Sequence, residues 1–182
     1  SGDIYMKKAI LFDLDGTLLP MDQAIFVKTY FGLMAKRMAQ FGYKPDELIH
    51  TIWTDITAVI KNDGTLKNED LFWKCFAQVY GDENTRNDRV QFDEFYREDF
   101  PKVKSVCGFQ PLAKEIVQYA KNQGYRVVLA TNPLFPRIAT EERIRWAGLE
   151  PSDFELVTTY ENSNACKPSL LYSQEILDTL GI

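Results

Sequence analysis

Histidine is almost missing from this sequence: His50 is the one example in 182 residues. Histidine catalysis is therefore off the table, and His50, in a helical stretch far from any motif, is expected to be a surface or a satisfied structural histidine. Cysteine is scarce as well. Cys75, Cys107 and Cys166 are odd in number, widely spaced and without a CxxC pair, which excludes a disulfide framework and a zinc site and leaves reduced thiols. Cys166 reads as a small apolar residue rather than a nucleophile. No apolar run approaches the roughly 20 residues that a bilayer crossing needs, and no charged-then-apolar leader is seen, so no membrane partner and a cytoplasmic location are expected. Positive charge is also in deficit. With 21 Lys and Arg against 26 Asp and Glu, net −5, the chain lacks the broad basic field of a nucleic-acid binder, and any phosphate it binds must be met locally.

What is present suits a folded chain: 45% hydrophobic and 26% charged residues lie well away from disordered compositions. The length allows one domain plus a large insertion, with burial of roughly 70% of the unfolded surface. Ser1 to Tyr5 precede Met6-Lys7-Lys8, which reads as the natural start, so those five residues are expected to be an expression remnant.

Lys8-Ala9-Ile10-Leu11-Phe12 is a short apolar run ending in Asp13-Leu14-Asp15-Gly16-Thr17, a buried strand entering a polar loop. Open α/β sheets place their sites at such junctions. A helix from Pro111 to Gly124 leads to a strand over 126–130 that ends in Thr131-Asn132-Pro133. A helix over 136–147 leads to a β-rich run over 154–159, and a last helix starts after Pro168 and stops near Gly181. The fold class is thus α/β, a parallel Rossmann-like sheet with helical crossovers. Between Leu18 and Ser105 the texture is helical. Helices are expected over 23–41, over 46–61 with Asp46 as N-cap, over 68–80 and over 87–100. Twelve basic against fourteen acidic residues make this stretch a compact helical subdomain, not a basic arm. The expected division is 6–17 and 106–182 for the α/β core and 18–105 for the inserted helices. Most of the inserted aromatics, Phe26, Tyr30, Phe31, Trp53, Phe72, Trp73, Phe76, Phe95 and Tyr96, are expected in the core, with a minority facing a ligand.

Two carboxylates at i and i+2 after a buried strand repel each other and any phosphate. At about 4 Å and an effective dielectric near 20, each like-charge pair costs on the order of 4 kcal/mol, so a hard divalent cation is needed. Magnesium, with oxygen ligands and retained waters, suits that demand. Taken singly, Asp13 and Asp15 could be an Asx turn, Thr131-Asn132 a strand-end turn, and Lys167 a solvated lysine. Their order and context give them meaning together.

Asp13-Leu14-Asp15-Gly16-Thr17 resembles the first motif of the haloacid-dehalogenase-like superfamily, Thr131 after Leu129-Ala130 the second, and Lys167 in Cys166-Lys167-Pro168 the third. The resemblance runs from about Lys8 to Leu180 and implies a magnesium-dependent phosphohydrolase of a small phosphorylated metabolite. It implies Asp13 as nucleophile forming an aspartyl-phosphate, and Asp15 as the acid that protonates the leaving group and later activates water. Asp13's carboxylate and Asp15's backbone carbonyl would hold magnesium. Thr131's hydroxyl and the Asn132 backbone N–H would bind the phosphoryl oxygens, and Lys167 would neutralise charge and restrain Asp13. The inserted helices resemble the family's cap, which excludes water and sets specificity.

One expected part is not found. The family's fourth motif, an acidic loop after a further strand, would supply another magnesium ligand, and these 182 residues hold no such strand; truncation is the expected cause, with β-edge exposure beside the first strand as its consequence. Glu161 is the nearby acid that could substitute in part. Two alternatives to the phosphatase stand: a sugar-phosphate mutase of the same family, and a catalytically dead binding protein on the same fold. Dehalogenation fits poorly, since Asp15 would then have no leaving-group oxygen to protonate. The oligomeric state is not legible.

Overall fold

A computed structural model describes residues 8–182; the expected start at Met6 lies outside the described residues. Three parallel strands, β1 (Ala9–Phe12), β2 (Arg126–Leu129) and β3 (Leu156–Val157), lie in the order β1-β2-β3. The register pairs Ala9 with Arg126 and Phe12 with Leu129, so β1 and β2 end level with each other at the carboxyl edge. The α/β class expected from the sequence is the one observed.

Four helices fill the insertion: α1 (Gln23–Ala39), α2 (Pro45–Ile60), α3 (Asn68–Tyr80) and α4 (Asp82–Glu98). A 3-10 segment, Phe100–Val106, returns the chain to α5 (Leu112–Asn122), and α6 (Arg137–Trp146) and α7 (Leu170–Leu180) follow β2 and β3. Among the described residues no helix is long and apolar enough to cross a membrane.

Strand alternation explains the layering. Val127 and Leu129 face the main core with Val117 of α5 and Ile144 of α6, whereas Val128 and Ala130 join Tyr172, Ile176 and Leu180 of α7 on the opposite face. β1 is an edge strand of the described sheet. Leu11, in register with Val128, is 44% exposed there, because α7 packs on Val128 and Leu156 instead. The inserted helices share one continuous core with α5 and α6. Tyr30 sits at its centre, against Phe100 (4.9 Å between ring centroids) and Phe135 (5.3 Å), and Phe100 stacks on Trp146 of α6.

Three local expectations need correction. Asp46 is not the N-cap of α2: Pro45 occupies the first helical turn, Lys44 takes the cap position, and Asp46 lies inside the first turn, where its charge favours the helix N-terminus. α4 starts at Asp82 rather than Asn87, because Gly81 (φ 88°) turns the chain within one residue of α3 and Thr85 donates back to its carbonyl. The third strand is two residues long, not the six of 154–159. Asn162 accepts from Thr159 N–H (2.8 Å) and donates to Val157 C=O (2.8 Å), closing a turn that draws the chain off the ladder.

Candidate active site

The loop after β1 is stapled to itself. Leu14 C=O accepts from Thr17 and Leu19, Gly16 donates to Leu19 C=O, and Leu14 is fully buried as the loop's anchor. Gly16 needs its positive φ of 77°, and a Cβ there would crowd the Gln23 amide at 3.3 Å. The loop therefore presents Asp13 and Asp15 outward from a fixed base.

Ala130 N–H donates to Phe12 C=O (2.8 Å), which sets the end of β2 beside Asp13. Thr131 follows, its carbonyl held by the hydroxyls of Thr158 (2.6 Å) and Tyr172 (3.1 Å). Asn132 accepts from Lys167 N–H through Oδ1 (3.1 Å), joining the second loop to the third. Lys167 then reaches across 154 residues of sequence to place its ammonium 3.4 Å from Asp13 Oδ1. Asp13 Oδ1 also accepts from Leu14 N–H (2.9 Å), while Oδ2 has no hydrogen-bond partner among the described residues. Asp13, Asp15, Thr131, Asn132 and Lys167 all line one cavity of about 340 Å³. The structure thus brings together all five residues singled out from the sequence.

Two further residues were not anticipated. Arg143 of α6 is 1% exposed and its guanidinium pairs with Asp15, with Nε on Ala139 C=O (3.2 Å) and a second nitrogen on Thr140 Oγ1 (3.2 Å). The rings of Phe26 and Phe135 lie within 6 Å of it. A signal was available: Ala139, Arg143 and Trp146 follow helical spacing, so Arg143 falls on the apolar stripe and needs a buried counter-charge. Asp15 Oδ1 is itself buried with no hydrogen-bond partner among the described residues. Asn68, at the start of α3, is fully buried and donates to Pro133 C=O (3.1 Å) and Ala165 C=O (3.0 Å), binding the inserted helices to the two loops that carry Asn132 and Lys167. Nothing in the sequence distinguished it from an ordinary helix-start asparagine. Of the inserted aromatics expected to include a ligand-facing minority, Phe26 and Trp53 lie on the cavity wall.

Other candidates fall away. Glu161 accepts from Arg137 N–H (2.8 and 3.0 Å) at the start of α6 and does not line the cavity. Cys166 is buried, and burial pushes its thiol up to about 12, as an inert apolar residue requires. His50 is exposed.

Hard oxygen donors for a cation are few here. No cluster of three metal-binding side chains occurs among the described residues. The half-exposed Asp13 carboxylate and the Asp15 carbonyl nevertheless fit magnesium, which takes one or two protein oxygens and keeps waters and phosphate oxygens for the remainder.

Solved structures resemble the chain at low identity. A HAD phosphatase from Thermococcus onnurineus is 18% identical, with a TM-score of 0.51 over 96% of this chain and 72% of that one. A dehalogenase is 17% identical, with a TM-score of 0.48 over 100% of this chain and 74% of the other. A HAD family enzyme from Bacteroides thetaiotaomicron is 15% identical, with a TM-score of 0.48 over 97% and 79%. No curated protein matches the sequence. The family profile for haloacid dehalogenase-like hydrolases, in contrast, matches residues 7–182, nearly the whole length, and with that match the chain belongs to the haloacid dehalogenase-like hydrolase family.

Proposed function

We propose that this hydrolase is a magnesium-dependent phosphatase of small phosphate monoesters that works through an aspartyl-phosphate on Asp13. The observation that carries the reading is the 3.4 Å approach of Lys167 Nζ to Asp13 Oδ1 in a cavity that Thr131 and Asn132 also line. An anion between those groups meets an ammonium, a hydroxyl and backbone N–H groups, while an Asp13 carboxylate oxygen with no partner among the described residues is the nucleophile.

In the first half-reaction an Asp13 oxygen forms a bond to phosphorus as the ester P–O bond breaks. Asp15 gives its proton to the departing oxygen. In the second, Asp15 takes a proton from water, the water oxygen attacks phosphorus, and the bond to Asp13 breaks to release inorganic phosphate. Lys167 holds Asp13 and offsets the phosphoryl charge throughout. Arg143 pairs with the Asp15 carboxylate and so fixes its position. The Asp13 carboxylate and the Asp15 carbonyl would hold magnesium, which would supply charge neutralisation between the acids and the phosphate. The helices of 18–105 serve as the cap that forms the cavity's upper wall.

Acid-quenched protein incubated with an aryl phosphate and magnesium is expected to carry a phosphoryl group on Asp13 by peptide mass spectrometry, with free phosphate as product. An adduct on another residue, or turnover that survives Asp13→Asn, overturns the assignment. Transfer to an added sugar hydroxyl in preference to water would identify the mutase instead.

A further inference from the structure

The phosphoryl grip occupies one end of the cavity, and the remaining wall differs from it in chemistry. It is built from Phe26 and Val27 of α1, Trp53 and Ile56 of α2, and Leu134 and Phe135 after β2. Among the described residues, Gln23 and the indole N–H of Trp53 are the polar groups lining the cavity beyond the five motif residues, and the Gln23 amide nitrogen already lies 3.4 Å from Asp15 C=O. Lys167 is engaged with Asp13 and Arg143 with Asp15, so no uncommitted cation lines the cavity among the described residues. Lys28 lines an adjoining open groove instead. Behind Ile56, Leu134 and Phe135 a second, small cavity of about 30 Å³ is bounded by Phe31, Met34 and Ile52, and the hydroxyls of Tyr30 and Tyr96 there bond to each other at 2.5 Å. The lining is apolar to a depth of two side chains.

Resting on the phosphatase reading above, we infer that the substrate is the monophosphate of a small, uncharged, predominantly apolar alcohol, whose hydrocarbon or aryl part packs against Trp53 and Phe135. About 340 Å³ is at the small end of ligand cavities, so the alcohol is compact. A sugar phosphate would bring several hydroxyls against hydrocarbon, each stripped of water and given no partner. A substrate with a second anionic group would meet apolar wall where it needs a cation. An aryl or branched alkyl group instead exchanges water for aromatic contact.

Initial rates with magnesium on 2-phenylethyl phosphate, glucose 6-phosphate and 3-phosphoglycerate test this, because all three are esters of primary alcohols and differ chiefly in what the wall must accept. The expected kcat/KM for 2-phenylethyl phosphate exceeds the other two by about tenfold or more, and Trp53→Ala lowers that preference by about tenfold. Trp53 is 46% exposed, so its truncation leaves the fold intact. A preference for glucose 6-phosphate or 3-phosphoglycerate overturns the inference. Acetyl phosphate, which needs only the phosphoryl grip, separates the two failures: its turnover together with a sugar-phosphate preference rejects the substrate class and spares the phosphatase. Binding of 3-phenylpropylphosphonate, followed by tryptophan fluorescence, supplies a readout without turnover. Saturable binding at least tenfold tighter than that of glucose 6-phosphate supports the apolar site even where no substrate is hydrolysed, in which case the phosphatase reading alone falls.

Discussion

The two sides of the cavity are held in place by different physics. On the phosphoryl side, Asp13, Thr131, Asn132 and Lys167 sit on three loops at the sheet edge, each located by a specific hydrogen bond: Leu14 N–H to Asp13, Thr158 and Tyr172 to the Thr131 carbonyl, Asn132 to Lys167 N–H. On the helical side, Trp53, Ile56 and Phe26 are located by packing, as when Trp53 lies edge-on to Phe31 at 5.2 Å. Directional bonds hold atoms to the tenths of an ångström that group transfer needs. Packing tolerates exchange of side chains of similar volume, so the wall can change its specificity without disturbing the chemistry.

The comparison breaks most sharply at Asp13. Asp13→Asn is expected to lower turnover on the order of 10⁴-fold or more, since the nucleophile acts as a unit with its partners, while circular dichroism stays native because the residue is half exposed. Next comes Arg143, which belongs to both sides, touching Asp15 and flanked by Phe26 and Phe135. Arg143→Met leaves a carboxylate without its counter-charge and should cost about 3–5 kcal/mol in denaturant titration, with a lowered kcat as the sign that Asp15 is displaced. Asn68→Ala removes two bonds to backbone carbonyls that tie the helical side to the loops of Asn132 and Lys167; a loss of about 2–3 kcal/mol and a raised KM are expected together.

Asp55 sharpens the comparison from within the helices. It is 2% exposed, one carboxylate oxygen lacks a partner among the described residues, and burial raises it from an ordinary 3.8 to about 7. The folded protein therefore holds this proton more tightly than the unfolded chain. The stability it contributes is complete below about pH 4 and is lost as pH rises through 7. Asp55→Asn should flatten that slope and stabilise the protein by on the order of 2–4 kcal/mol at pH 8, measured by urea melts across pH. The smallest effect is expected at Glu161. Glu161→Gln weakens the bonds to Arg137 N–H at the start of α6 by about 1 kcal/mol and leaves the magnesium dependence of turnover as in the parent protein. A changed magnesium requirement would make Glu161 a metal ligand after all.

Most of the phosphoryl side was legible beforehand because its information is local. A strand of four apolar residues followed by an acid-x-acid-Gly-Thr loop encodes its own conformation, down to the positive φ at Gly16. The start of α4 was misplaced because a single residue, Gly81, turns the chain where a longer loop was expected, although Asp82 and Glu83 already carried the acidic signature of a helix start. The third strand was overestimated because Asn162, several residues beyond it, ends the ladder.

By itself the sequence determined the parallel α/β class, the positions of most helices and the five residues that converge on one cavity, since each depends on short-range periodicity, turn chemistry or motif order. The tertiary structure alone decided that Arg143 answers Asp15, that Asn68 joins the helices to the sheet loops, and that Trp53 rather than Trp73 faces the ligand space. Those are contacts between residues 65 to 128 positions apart, or a choice of which face a side chain presents, and such pairings are selected by the packing of the whole core rather than by any local run of residues.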